Sequence, residues 1–144
     1  MNQPAPELTA ILQDEPPGCA LDLACGSGRH AIWLAQQNWE VTAVDIVPIE
    51  IQRVVTLRVD LENDPFTIRT ASWNLIVSWL YCQPGLFPAI KAGLKPGGIV
   101  ALAGKTTGRF ATSLAQFRAA FAGFAELASG ENESRAFFIA RYNK

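Results

Sequence analysis

Charge is scarce in this chain and is nowhere concentrated. Only 17% of its 144 residues are charged, the net charge is −1, and its 12 Lys and Arg are scattered without a basic run. A nucleic-acid binder needs a cationic footprint to neutralise phosphates, so nucleic acid is not an expected partner. Cysteine is sparse too. Cys19, Cys25 and Cys82 show no CxxC spacing and an odd count, which signals neither a disulfide framework nor a zinc site. They read as buried, reduced thiols, and no metal is expected. No apolar run approaches the ~18 residues of a spanning helix. The start, "MNQPAPELTAILQDEPPG", lacks the basic stretch and apolar core of a signal peptide. Membrane association is therefore not expected, and the cytoplasm is the expected compartment. Internal repeats, low-complexity tracts and linkers are also missing.

What the chain has is apolar residues, 49% of the total, enough for a folded core at a length typical of one domain. A single domain over residues 1–144 is expected. Glu7 to Gln13 suits a short helix closed by Pro16 and Pro17. "CALDLAC" is a short apolar run bounded by glycines, fitting a buried strand, and "RHAIWLAQQN" follows as a helix with Asn38 as its stop. "WEVTAVD" and Val54 to Val59 are the second and third strands, and Ser72 to Leu80 is a continuous apolar run suited to a central strand buried on both faces. "LFPAIKAGL" reads as a helix ended by a turn at Lys95-Pro96-Gly97-Gly98, and "GIVALAG" as the fifth strand. Leu114, Phe117, Phe121 and Phe124 recur at helical spacing, with Thr112 or Ser113 as N-cap. Two last strands, near Ala125 to Ser129 and Arg135 to Tyr142, pair as an antiparallel hairpin. Strands alternating with helices predict an α/β fold with a mostly parallel sheet.

One connection is too short for the usual pattern. Fourteen residues separate Asp45 from Asp60, and about six of them belong to the third strand. A parallel crossover normally takes a dozen residues or more. An extended link kinked at Pro48 is expected here, leaving one sheet face poorly covered near this edge.

The stretch "ALDLACGSGRH" runs a strand into a glycine turn and then a helix. "GSGRHA" fits G-x-G-x-x-G/A, and Asp45 follows Gly26 by nineteen residues. That spacing permits a carboxylate at ribose hydroxyls, though glycines also simply make tight turns. Asp22 lies inside the first strand, where a buried carboxyl needs a partner. Asp45 and Asp60 end the next two strands, and "LKPGG" precedes the fifth. His30, the only histidine, reads as structural.

With "DLACGSG" and "LKPGG" at this separation, the chain resembles the class I S-adenosylmethionine-dependent methyltransferases. "LDLACGSGRHAIWLA" looks especially like the small bacterial members grouped with tellurite-resistance methyltransferases. The likeness covers Cys19 to Gly104 well and the tail to Tyr142 loosely. It implies a Rossmann-like fold with helices on both faces of the sheet, and S-adenosylmethionine as cofactor, leaving as S-adenosylhomocysteine. Asp22, Ala24, Gly26, Ser27 and Gly28 would then approach the cofactor's methionine portion. Asp45, with Ile46 beside it, would receive the ribose hydroxyls; Asp60 would meet the adenine amine, and Leu61 would pack near the ring. Ser78 would sit beside the methyl group, and Trp79, Tyr81 and Cys82 would line the pocket of a small-molecule substrate. No dedicated acid or base is implied, since the cofactor carries the chemistry and the protein aligns the reactants.

Two departures bear on substrate. "SWLYCQPG" is not the Asn/Asp-Pro-Pro-Tyr pattern of methyltransferases acting on nucleobases or glutamine. "KTTGRF", Lys105 to Phe110, stands where relatives carry a longer covering insertion. The short lid implies a large substrate, a lid from another subunit as in a homodimer, or a non-catalytic cofactor-binding or partner subunit. A nicotinamide-dependent oxidoreductase is a further alternative, weakened by Asp22 and "LKPGG".

Overall fold

Parallel strands need long returns, and this chain makes some of them without helices. A computed structural model describes residues 3–47, 49–64 and 66–143. Its strands are β1 (Cys19–Leu23), β2 (Glu40–Asp45), β3 (Val54–Arg58), β4 (Trp73–Trp79), β5 (Leu94–Lys105), β6 (Ala125–Glu131) and β7 (Arg135–Arg141). The helices are α1 (Pro6–Leu12), α2 (Arg29–Gln36), α3 (Phe87–Gly93) and α4 (Leu114–Ala120), with one 3-10 turn at Pro84–Leu86. The strands form one sheet in the order β3-β2-β1-β4-β5-β7-β6. β1 to β5 are parallel, and β7 runs antiparallel between β5 and β6.

Alternate residues of each strand point to opposite faces, and the two faces differ in bulk. Ala20, Ala43, Leu75, Val77, Ala101 and Ala103 face the side covered by α1 and α2, through Leu8, Leu12, Ala31 and Leu34. Leu21, Leu23, Ile76, Val100, Leu102 and Phe138 face α3 and α4, through Ile90 and Phe117. Helices therefore cover both faces, as expected. The second face holds an aromatic cluster in which Phe121 lies 5.6 Å from Phe87, and Phe117 stacks 6.1 Å from Phe138. Among the described residues no helix is long and apolar enough to cross a membrane.

Between β2 and β3 the described chain contains no helix, in line with the short link; the expected kink at Pro48 lies outside the described residues. Ile49 and Ile51 pack onto the α1/α2 core in place of a crossover helix. The opposite face of β3 is left open, with Val55 60% and Leu57 41% exposed.

Two expectations are corrected. Lys95 to Gly98 form no turn, because β5 runs unbroken from Leu94. Its pairing with β4 jumps from Trp73↔Leu94 to Leu75↔Ile99, so these four residues bulge opposite Asn74. Gly97, at φ +81°, donates to the Tyr142 carbonyl, and the Tyr142 N–H donates to the Gly98 carbonyl. Backbone bonds to Tyr142 on one side, and a bulge against β4 on the other, hold a segment whose glycines suggested a reversal. The last helix is also shorter than its apolar stripe. α4 is capped by Ser113, which accepts from the Gln116 N–H, and it ends at Ala120. Gly123 at φ +90° then turns the chain, so Phe124 packs from outside the helix, against Phe121 and Tyr142.

Candidate cofactor site

At the carboxyl end of β1 the backbone takes an uncommon course. Ala24, Gly26 and Gly28 have φ of +56°, +59° and +85°. Glycine adopts this region freely, whereas for alanine it costs about 1–2 kcal/mol. A strained residue followed by two permissive ones is found where a backbone must clear space. A Cβ on Gly26 would meet nothing within 4 Å, whereas one on Gly28 would collide with Ile51. Gly26 thus opens on a free recess, and Gly28 closes against the β2–β3 link.

Asp45 is built into this turn. Its Oδ2 accepts the Gly26 N–H at 2.8 Å and its Oδ1 accepts the Val47 N–H at 2.9 Å. Each carboxylate oxygen retains acceptor capacity. Beside it lies a cavity of about 120 Å³ lined by Ala24, Asp45, Ile46, Val59, Asp60, Leu61, Glu62 and Tyr81. That volume suits one end of a ligand, since whole-ligand pockets begin near ~300 Å³. A larger groove of about 470 Å³ runs between α2 and the link and includes Ser27, but none of the three acids Asp22, Asp45 and Asp60 lines it.

Beneath the turn, Asp22 is buried, and its Oδ2 has no hydrogen-bond partner. Burial first, and then the negative charge of Asp45, push its carboxyl up to about 7, against the pull of Arg29. An orphaned buried carboxylate is costly, and a cationic ligand group would relieve it.

Asp60 folds its own loop. Its Oδ2 accepts from the Asn63 amide and its Oδ1 from the Glu62 N–H, and these bonds hold its carboxyl below the usual range. Ser78 is buried, and its hydroxyl donates to the Tyr81 carbonyl, fixing the turn after β4. Trp79 is buried against His30 and Phe137, each 6.0 Å away, and its indole N–H lacks a partner. Cys82 lies in the α3/α4 core, and burial pushes its thiol up to about 12. Of the three residues expected to line a substrate pocket, only Tyr81 opens on the cavity. His30 is structural: its Nε2 accepts the Ala5 N–H at 3.1 Å, and burial, then Arg29, hold its pKa down at about 4. Among the described residues no group of three or more His, Cys, Asp or Glu is placed to hold a metal.

The structure adds lining residues that sequence did not single out. Val59 and Glu62 flank Asp60 in the cavity wall, and their adjacency to Asp60 was the available signal. Arg109 reaches Glu62 at 2.5 Å, and Phe110 meets Tyr81 edge-on at 5.9 Å. These are contacts between distant loops, with no local signature.

A doubly wound sheet with a glycine turn, strand-end acids and a small recess at its carboxyl edge defines a nucleotide-type binding fold. Residues 2–118 match the family of methyltransferase domains, and the chain belongs to that family. Its fold is the Rossmann-like one of class I methyltransferases. Among solved structures it is similar to an S-adenosylmethionine dependent methyltransferase from Mesorhizobium loti, with TM-score 0.75 and 16% identity over 94% of this chain and 96% of that one. TehB from Haemophilus influenzae is also similar, with TM-score 0.73 and 18% identity over 96% of this chain and 60% of that one. Curated relatives include Hemagglutinin 1 of Eikenella corrodens, 29% identical over 60% of this chain and 34% of that protein. Another is the trans-aconitate 2-methyltransferase of Methylobacterium radiotolerans, 29% identical over 69% of this chain and 43% of that enzyme. The chain thus spans well under half the length of these curated relatives.

Proposed function

We propose that the protein is a methyltransferase that uses S-adenosylmethionine and passes its methyl group to a small-molecule acceptor by in-line displacement. The observation that carries this is the cavity itself: Asp45, anchored to the glycine turn through Gly26 and to its own link through Val47, stands at its wall beside the open space over Gly26. Asp45 receives the two ribose hydroxyls on its remaining lone pairs, a charge-assisted contact. Ile46 and Leu61 flank the adenine, and Asp60 faces its amine from the turn that its carboxyl folds. The turn from Ala24 to Gly28, with Ser27, accommodates the methionine portion. Asp22 then gains the cationic amino group that its orphaned oxygen lacks.

S-adenosylmethionine supplies a methyl group already activated on a sulfonium. The protein's own part is alignment. Ser78 holds the turn after β4, and Tyr81 borders the cavity from it. Neither of the tempting bases is available: Cys82 is a core thiol and the Nε2 of His30 is occupied. With neither thiol nor imidazole at hand, the proposal favours a soft or anionic nucleophile. The trans-aconitate relative supports a small acceptor. Within the same proposal the protein works in the cytoplasm, without nucleic acid or membrane as partner. Affinity with the tellurite-resistance group is supported by the likeness to TehB, and a second subunit in a homodimer would supply any further cover over the acceptor.

Calorimetric titration with S-adenosylhomocysteine is the test. Micromolar binding that falls about 100-fold in Asp45→Ala, with no binding of NAD, is the expected result. Binding of NAD alone would overturn the reading.

A further inference from the structure

The segment that sequence presents as a truncated lid closes something after all. After β5 the chain leaves the sheet at Lys105 and is pinned again at Thr112, whose N–H and hydroxyl both donate to the Lys105 carbonyl, at 2.9 and 3.2 Å. Thr106 is tied to the β6–β7 turn, its N–H donating to the Ser134 carbonyl at 3.1 Å and its hydroxyl to the Glu133 carbonyl at 2.5 Å. Between these anchors Gly108, at φ +97°, reverses the chain, which throws the next two side chains sideways across the carboxyl edge of the sheet.

Both land on walls of the cavity. The Arg109 guanidinium pairs with the Glu62 carboxylate at 2.5 Å. The Phe110 ring meets Tyr81 edge-on at 5.9 Å, and Arg109 lies 5.0 Å over that same ring. Glu62 belongs to the loop after β3, and Tyr81 to the turn after β4. The segment after β5 therefore joins three loops around one recess. The two contacts differ in physics. The ion pair is exposed, with Arg109 75% accessible, so it is weak and sensitive to salt. The aromatic contact is insensitive to salt and is the stronger of the two.

We propose that residues 106–110 form the closing strap of the nucleoside recess, with Arg109 and Phe110 as positioning residues acting through Glu62 and Tyr81. The proposal rests on the cofactor reading above. It makes release of the spent cofactor dependent on detachment of the strap, at a pinned loop that opens at its tip and not at its base. It also separates the two ends of the site: the strap confines the nucleoside, and the acceptor enters on the side the strap does not span.

The test is titration of the full chain with S-adenosylhomocysteine, with the dissociation rate read in parallel. Phe110→Ala is expected to weaken binding about tenfold and Arg109→Ala about threefold, both through faster dissociation. High salt should weaken the wild type and leave Arg109→Ala unchanged. Arg109→Lys should recover part of the loss, and the exchange Arg109→Glu with Glu62→Arg should return affinity to within about twofold of wild type. Thermal unfolding without ligand should be unaltered in Arg109→Ala, since that side chain supports no core. Wild-type affinity in both Phe110→Ala and Arg109→Ala would overturn the strap while leaving the cofactor reading intact. Failure of the wild type to bind S-adenosylhomocysteine at all would overturn both.

Discussion

The two halves of the sheet are built on different terms. In the β4, β5, β7 and β6 half, α3 and α4 press an aromatic cluster of Phe87, Phe117, Phe121 and Phe138 onto the sheet. At the β3 edge of the other half, that same face carries exposed Val55 and Leu57 and no helix. Yet the unclad half supplies most of the cavity wall, from Ala24 through Glu62. The loops that form this wall are ordered by hydrogen bonds: Asp45 accepts from Gly26 and Val47, and Asp60 from Glu62 and Asn63. Both halves are buried at the centre of the sheet, where Leu21, Leu23 and Val44 are fully covered; the difference lies at the β3 edge and in the loops that wall the cavity. A loop-built wall can adjust to what it holds, and a wall of packed helices would resist doing so.

Three substitutions break or sharpen this contrast. Phe117→Ala, in the clad half, should lose about 3–5 kcal/mol of stability in chemical denaturation, from lost contacts and the cavity left behind. Asp22→Asn probes the stability given up beneath the ligand turn. The folded-state carboxyl lies at about 7 against an ordinary 3.8, so the folded state holds its proton more tightly. The associated stability is present below pH ~4 and lost as pH rises through ~7. Asn at this position should therefore gain about 4 kcal/mol at pH 8 and nothing at pH 4; a gain independent of pH would point to packing instead. Leu57→Ser, on the bare face, should shift stability by less than ~0.5 kcal/mol. A loss as large as that of Phe117→Ala would mean that this face is covered.

Most elements were legible because their signals are local. Alternation and apolar runs marked β1, β2, β4 and β5, and the count between Asp45 and Asp60 foretold the missing crossover helix and the bare face of β3. What escaped depends on partners far along the chain. Lys95 to Gly98 look like a turn until Tyr142 is present to bond Gly97 and Gly98. Cys82 escaped for a different reason. Leu80 takes φ +68°, which breaks the two-residue alternation after Trp79, so the faces met by residues 81 and 82 could not be counted off from β4. The strap escaped because Arg109 and Phe110 gain meaning only beside Glu62 and Tyr81. The glycine turn, the strand-end acids and the buried Asp22 were legible, since each is a residue type set against its surroundings within a few positions.

The place of β7 has a consequence for how the molecule assembles. β6 is bonded to the sheet only through β7, and β7 follows it in sequence. The sheet therefore cannot grow in the order of the chain. β6 has no neighbour until β7 is present, and a hairpin across the turn at 132–134 closes in about 1–10 μs. Until Arg135–Arg141 is in place, that flank of β5 has no strand partner, and β7 is what seals it.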